Sequence, residues 1–174
     1  MNNPAFVAFG GIEVYDETMP KISALIHAEN DEHHLARLLE TLRPCDQVLV
    51  IDHASKDGTA KVAHQHGATV KKAVPGVEDG AYAIDCRHQW VLCMLPNETL
   101  SEALEAALFE WKETDPGATV GYTVPVREST AKGWRECGRE LRLVNRTALN
   151  WTGALPGNSP GAAELNGDLL QFKD

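Results

Sequence analysis

Polar and ionisable side chains follow three apolar runs of this sequence, at the points where strands are expected to end. HAEND (27–31) follows KISALI, DHASKDG (52–58) closes QVLVI, and LPNE (95–98) follows WVLCM. Carboxylates at such positions accept hydrogen bonds from ribose hydroxyls or a base, and they also ligate hard cations. Because parallel sheets bind ligands at the carboxyl ends of their strands, we expect these segments to form one site.

The elements that must position these segments alternate between strands and helices. KISALI, QVLVID, ATVKKAV and WVLCML are short apolar runs typical of buried strands. A leucine stripe predicts one helix after an N-cap at Asn30, and a second helix ends at Gly67. Thr99 and Glu102 have the spacing of a capping box at the start of a third helix. This alternation predicts an α/β fold: a mainly parallel, Rossmann-like sheet with helices on both faces.

The length of 174 residues fits a single domain with a substantial core. Residues 1–20 are predicted to form an N-terminal extension or a hairpin around Gly10 and Gly11. Residues 21–126 contain the strand and helix alternation. Residues 127–174 contain short strand-like pieces separated by glycine and proline, which predict a small antiparallel part.

Composition excludes several classes of partner. The net charge of −9 disfavours nucleic acid and anionic membrane surfaces through long-range repulsion. No apolar run approaches the roughly 18 residues that span a bilayer, so no membrane span is predicted. The four cysteines form no CxxC pair, which favours reduced, buried thiols. Together with the lack of a signal-peptide pattern at the start, this predicts a cytoplasmic protein.

The segment ISALIHAENDEHHLARLLETLRPCDQVLVIDHASKDGTAKVAHQHGATV (22–70) resembles the nucleotide-binding half of a family 2 glycosyltransferase with the GT-A fold. The resemblance is to the bacterial branch that acts on acceptors like the lipopolysaccharide core. WVLCMLPNE, GYTVPVRE, ELRLVNR and NWTG…GDLLQF follow in the family's order, which extends the resemblance to residues 21–172. It implies a UDP- or GDP-type ligand or a nucleotide-sugar, with nucleotide-binding residues at Asn30, Asp31, Asp52 and Ser55. On this view 21–126 is the nucleotide-binding half and 127–174 a degenerate acceptor-side half.

The positions that the family uses for chemistry are replaced. The metal-binding acids correspond to residues 95–97, which read LPN, and leucine and proline have no side-chain donor for a cation. The pair that supplies the catalytic base corresponds to residues 155–157, which read LPG, and a late histidine corresponds to Gln171. We therefore expect no catalytic residue and no divalent metal between Asn97 and the nucleotide-binding loops. The chain is predicted to be an inactive relative, or pseudoenzyme, that binds a nucleotide or nucleotide-sugar or serves as a subunit for a protein partner or homo-oligomer.

The alternative is an active glycosyltransferase with a variant, metal-independent site. Its candidate pocket-lining residues are His27, His53, Asn97 and Glu98, and the basic segment 127–146 could supply cations to a leaving diphosphate. Surface charge is the simpler interpretation of that segment, because three acids interleave with its six basic residues. The remaining helical histidine pairs lack the i, i+4 spacing of a helical zinc site and are predicted to be exposed.

Overall fold

The computed structural model describes residues 7–9, 12–14 and 19–173. The strands are β1 (Val7–Phe9), β2 (Ile12–Val14), β3 (Ile22–Ala28), β4 (Gln47–Asp52), β5 (Thr69–Lys72), β6 (Trp90–Met94), β7 (Glu98–Leu100), β8 (Gly121–Thr130), β9 (Gly133–Asn145), β10 (Ala163–Glu164) and β11 (Leu169–Gln171). The helices are α1 (Glu32–Thr41), α2 (Thr59–Gln65), α3 (Glu102–Trp111) and a 3-10 helix (Asp79–Asp85).

Within the described residues, nine strands form one sheet in the order β5-β4-β3-β6-β9-β8-β11-β7, with β10 on β8. The strands β3, β4, β5 and β6 pair in parallel, as their crossover connections require. The strand β9 runs antiparallel to β6 and β8. The C-terminal strands β10 and β11 instead run parallel to β8, so the predicted small antiparallel part is antiparallel only in some of its pairings. The predicted α/β architecture is therefore confirmed, including the parallel pairing of β3 with β4, in which Ala24 lies opposite Val48.

The sheet is covered differently on its two faces. The three α-helices pack on one face, where Leu35, Leu104 and Trp111 belong to the larger core cluster. The 3-10 helix covers the other face, where Tyr82 packs with Leu25 and other strand side chains. The strand β3 is buried over its whole length, because it lies between two parallel neighbours and beneath both layers.

Two predicted helix starts are wrong, and each has a local reason. Asn30 has a φ of 55°, so the left-handed residue precedes the N-cap of α1, which is Asp31. Thr99 lies in β7, and Ser101 is the N-cap of α3, where its hydroxyl accepts a hydrogen bond from the Leu104 amide at 3.2 Å. The 3-10 helix was not predicted, because its sequence DGAYAID has no helical stripe.

At the N-terminus, β1 and β2 pair in antiparallel fashion, with Val7 opposite Val14. Gly10 and Gly11, the predicted centre of a hairpin, lie outside the described residues. No helix in the described part of the chain is both long and apolar enough to cross a bilayer.

Candidate functional site

The loops after β3 and β4 interlock at the carboxyl edge of the sheet. The Asn30 amide donates to Oγ of Ser55 at 3.0 Å, and Oδ1 of Asn30 accepts from the Lys56 amide at 2.8 Å. The Asp31 amide donates to Oγ1 of Thr59 at 2.9 Å. The structure thus brings the predicted residues Asn30, Asp31 and Ser55 together, and Asn30 has a left-handed backbone conformation, which asparagine adopts more readily than most residues.

Two carboxylates belong to the same loops. Asp52 ends β4, is 8% exposed, and accepts a hydrogen bond from the Ser55 amide at 3.2 Å. Asp31 accepts from the Glu29 amide at 2.8 Å. Both carboxylates are therefore oriented by backbone groups at the edge where parallel sheets bind ligands. Their role toward a nucleotide stays a prediction.

Two histidines and an aspartate converge beside these loops. Nδ1 of His27 lies 2.9 Å from Nε2 of His53, and Oδ1 of Asp79 lies 3.6 Å and 3.7 Å from those two nitrogens. His27 is the penultimate residue of β3, His53 follows β4, and Asp79 begins the 3-10 helix. His53 and Asp79 line a pocket of about 420 Å³ that Glu29 and the loop 73–77 complete.

The buried histidine of this cluster is held neutral. Burial lowers the pKa of His27 below its ordinary value, and His53 lowers it further, while the Asp79 carboxylate acts in the opposite direction. Nε2 of His27 is buried and, among the described residues, has no hydrogen-bond partner. A neutral imidazole can accept a proton or ligate a cation, and here it lies beside two further atoms that can ligate a cation, Nε2 of His53 and Oδ1 of Asp79.

The 3-10 helix that carries Asp79 is anchored by backbone contacts. The Gly80 amide donates to the Thr152 carbonyl at 3.1 Å, and a β-carbon at Gly80 would overlap the carbonyl oxygen of Trp151. Asp79 was not among the site residues predicted from the sequence. The signal was the Asp-Gly pair in the loop between β5 and β6, since that loop starts at the same edge of the sheet as His27 and His53.

Glu98 does not line an accessible pocket, which corrects its predicted placement. It is fully buried, and its two carboxylate oxygens accept hydrogen bonds from Nη1 and Nη2 of Arg142 at 2.7 Å and 2.8 Å. Oε2 of Glu98 also accepts from the Leu95 amide at 2.8 Å, and Oε1 accepts from Nε2 of Gln171 at 3.4 Å. The acid after β6 is therefore part of a structural ion pair, and Gln171 completes its hydrogen bonding.

Asn97 is also bound into the backbone of this turn. Its side-chain Nδ2 donates to the Phe172 carbonyl at 2.8 Å, and its main-chain carbonyl accepts from the Phe172 amide at 2.8 Å. The side chain of Leu95 has no atom that could ligate a cation, and the carboxylate of Glu98 forms an ion pair with Arg142. The turn at residues 95–98 therefore does not fit a cation that would bridge a nucleotide diphosphate.

The basic segment 127–146 is paired within the protein rather than uniformly exposed. Arg142 is 1% exposed, and besides Glu98 it contacts a second acid, Glu140, at 2.7 Å. Burial acts to lower the pKa of Arg142, but hydrogen bonds to Glu98 and Glu140 outweigh it and raise that pKa. Arg127 pairs with Asp168 at 3.2 Å. The interpretation as surface charge was thus wrong for Arg142. The alternating pattern of ELRLV did not indicate that this arginine is buried.

The loop that corresponds to the family's catalytic base has no ionisable side chain at residues 155–157. Pro156 is buried, and Leu155 packs against the core cluster that covers the second face of the sheet. Trp151 from the same loop supports Gly80. This loop therefore supports the 3-10 helix, and indirectly the position of Asp79.

Comparison with known proteins gives relatives of one kind. No family model matches the chain. It is 34% identical over 91 residues to an uncharacterized glycosyltransferase of Rickettsia felis, over 50% of this chain and 32% of that protein. It is 26% identical over 183 aligned positions to the lipopolysaccharide core biosynthesis glycosyltransferase LpsC of Rhizobium meliloti, over 89% of this chain and 65% of LpsC. The chain thus spans about a third of the Rickettsia protein and just under two thirds of LpsC.

Solved structures share the fold. A mycobacterial protein superposes with a TM-score of 0.61 at 13% identity, over 89% of this chain and 68% of its own. Glucosyl-3-phosphoglycerate synthase of Mycobacterium tuberculosis, in complex with Mn²⁺, UDP and glucosyl-3-phosphoglycerate, gives a TM-score of 0.57 at 14% identity, over 89% of this chain and 73% of its own. The fold is the GT-A fold. The chain is glycosyltransferase-like, and the resemblance to family 2 glycosyltransferases is confirmed.

Proposed function

We propose that this chain is a catalytically silent glycosyltransferase-like domain that binds a nucleotide or nucleotide-sugar at the carboxyl edge of β3 and β4. The observation that carries the proposal is a contrast between two parts of that edge. The loops with Asn30, Asp31, Asp52 and Ser55 are ordered by mutual hydrogen bonds beside an open pocket. The turn after β6, by contrast, directs its only acid, Glu98, into the core.

The residues at the chemical positions support the proposal of catalytic silence. Residues 95–97 supply no acidic cation ligand, only the neutral amide oxygen of Asn97, and residues 155–157 supply no group to take the acceptor proton. Loss of a general base alone typically lowers a rate by about 10²–10⁴-fold. Missing stabilisation of the leaving diphosphate lowers it further. Sugar transfer by the purified protein is therefore expected to be slower by several orders of magnitude than in relatives that keep these groups.

UDP and GDP are the ligands to test first. The mycobacterial synthase with the same fold was crystallised with UDP, which supports a uridine nucleotide as the first trial. A carboxylate at the end of β4 is suited to accept hydrogen bonds from ribose hydroxyls, and such charge-assisted bonds contribute about 1.5–3 kcal/mol each. Removal of the charge of Asp52 should therefore weaken binding by about 10–100-fold.

The experiment is calorimetric titration of UDP, GDP and ADP into wild type, Asp52→Asn and Asp115→Asn. Asparagine at 52 keeps an oxygen to accept from the Ser55 amide, so the loop should stay intact. Asp115 is exposed and contributes to a pocket with Lys21 and Trp90 at the opposite edge of the sheet, which makes it the control for the loss of one negative charge. Equal affinity in all three proteins, or no nucleotide binding at all, would contradict the proposal. The second result would favour a role as a subunit for a protein partner.

The active alternative is tested with the same protein by assaying release of UDP from UDP-sugars with sugar acceptors. The alternative needs cations near the diphosphate, but Arg142 is buried against Glu98, and Arg139 donates to the carbonyls of Thr123 and Leu165 at 2.9 Å and 2.6 Å. Efficient sugar transfer by the wild-type protein would nevertheless establish the alternative and overturn catalytic silence.

A further inference from the structure

We propose that His27, His53 and Asp79 form a site for a borderline first-row divalent cation of the Zn²⁺ type. The site lies at the edge of the sheet between the ends of β3 and β4 and the start of the 3-10 helix. It is separate in its ligands from the turn at residues 95–98, and it does not depend on nucleotide binding.

The geometry of the three donor atoms fits one small cation. Two ligands of a tetrahedral ion with bonds of about 2.0–2.1 Å lie about 3.3–3.4 Å apart. The separations here are 2.9 Å between the two imidazole nitrogens and 3.6 Å and 3.7 Å from each nitrogen to Oδ1 of Asp79. Shifts of a few tenths of an ångström would therefore place all three atoms at bonding distance from a common centre.

The chemistry of the donors selects the kind of cation. Two imidazole nitrogens and one carboxylate oxygen suit Zn²⁺ and its first-row neighbours, whereas Mg²⁺ and Ca²⁺ prefer oxygen ligands. The ring of His27 is buried and packs edge-on against Tyr82, with ring centroids 5.8 Å apart. The three ligand atoms are therefore already close together, and a cation would displace the proton that the two imidazole nitrogens share in their hydrogen bond.

Three protein ligands leave one coordination position open, as in zinc sites that bind water or a substrate. His53 and Asp79 both line the pocket of about 420 Å³, so the open position faces space for a further ligand. That ligand is expected to be water or an anionic oxygen of a molecule in the pocket. Glu29, an exposed residue that lines the same pocket, is the protein's own source of such an oxygen.

Each of the three ligands is held in place by backbone hydrogen bonds of its own element. His27 lies in a strand paired on both sides, and the His53 amide donates to the Ala28 carbonyl at 2.9 Å. Asp79 is held through Gly80, whose amide is bonded to Thr152. Preorganisation of this kind lowers the cost of assembling a site when the cation binds.

The test is titration of metal-free, untagged protein with Co²⁺ and Zn²⁺ in a Cys137→Ser background, which removes the exposed thiol. We expect one equivalent of Co²⁺ to give the visible absorption of a four-coordinate site and to be displaced by Zn²⁺, with no comparable binding of Mg²⁺. His53→Ala and Asp79→Asn should each lower the affinity by more than the about 10–100-fold that loss of an outer-shell partner costs.

Matched controls separate this site from adventitious binding. Asp85→Asn removes the same charge from the same 3-10 helix, and His64→Ala removes an exposed histidine from α2. Both should bind Co²⁺ as the parent does, and thermal unfolding of the metal-free proteins checks that each variant is folded. Unchanged Co²⁺ binding in folded His53→Ala and Asp79→Asn, binding abolished by His64→Ala, or no stoichiometric binding in the parent would each overturn the proposal.

Discussion

The buried pair of Glu98 and Arg142 gives the sharpest test of the structure. Replacement of Glu98 by leucine would remove the acceptor of two guanidinium hydrogen bonds and leave Arg142, which is 1% exposed, without its main counter-charge. It would also leave the Leu95 amide without the oxygen that it contacts at 2.8 Å. The perturbation is thus the loss of one partner from a buried ion pair.

The expected magnitude follows from that geometry. Removal of one member of a buried ion pair typically costs about 3–5 kcal/mol, because the remaining charge stays desolvated. Glu140 still contacts Arg142 at 2.7 Å but is itself 44% exposed, so we place the loss near 3 kcal/mol, the lower end of that range. For a chain of this size, that loss corresponds to a fall in Tm of about 6–12 °C.

The assay is urea unfolding followed by circular dichroism for Glu98→Leu, Arg142→Met and the double variant. The double variant should recover much of the loss, because two apolar side chains can replace a buried pair at little cost. The control is Glu128→Leu and Arg135→Met, a pair 2.8 Å apart in which Arg135 is 65% exposed. Exposed pairs of this kind contribute at most about 1 kcal/mol.

Two results would refute the reasoning. A fall of less than about 1 kcal/mol in the free energy of unfolding of Glu98→Leu would mean that Glu98 and Arg142 are not a buried pair, since only exposed pairs contribute so little. A double variant as unstable as the sum of the single ones would mean that the two side chains do not interact.

Three further predictions test local features. Ser101→Ala should destabilise the protein by about 1–2 kcal/mol in urea unfolding, because the hydroxyl accepts from the amides of Leu104 and Asp168. Cys137 should be the one thiol that reacts quickly with a disulfide reagent in the native state, against four after unfolding, because burial raises the pKa of the other three thiols. Hydrogen bonds from Thr59 lower the pKa of Asp57, so its contribution to stability should be present above pH 3.8 and be lost as pH falls through the lowered value. The difference in stability between wild type and Asp57→Asn, measured against pH, should therefore vanish in acid.

Most of the sheet could be predicted from the sequence because its order depends on patterns within single elements. Apolar runs of five to seven residues mark β3, β4 and β6, and the crossover rule then requires parallel pairing. Helix starts were less predictable, since a cap depends on backbone dihedral angles. The left-handed φ of Asn30 is stabilised by a loop 25 residues away in the sequence.

The candidate site was only partly predictable, because its decisive contacts join distant segments. His27 and His53 could be placed at strand ends from the sequence. Asp79 lies in a segment without periodicity, and its approach to them depends on contacts of Gly80 with Trp151. Glu98 follows a strand as a pocket residue would, and only the partner 44 positions later, Arg142, turns it into the core.

A single acidic substitution in the turn after β6 would not restore a cation site there, because the neighbouring groups are engaged in other contacts. Asn97 directs its Nδ2 at the Phe172 carbonyl, so an aspartate at that position would set a carboxylate against a carbonyl oxygen 2.8 Å from the present amide. The Leu95 amide donates a hydrogen bond to Glu98, and Glu98 forms an ion pair with Arg142. Leu95, Asn97 and Glu98 are thus all engaged in hydrogen bonds that hold the turn together and tie it to Phe172 and Arg142. A donor set for a cation remains at His27, His53 and Asp79, on loops that make no hydrogen bond to this turn among the described residues. The binding that we propose at the carboxyl edge therefore does not require an acidic cation ligand in the turn after β6.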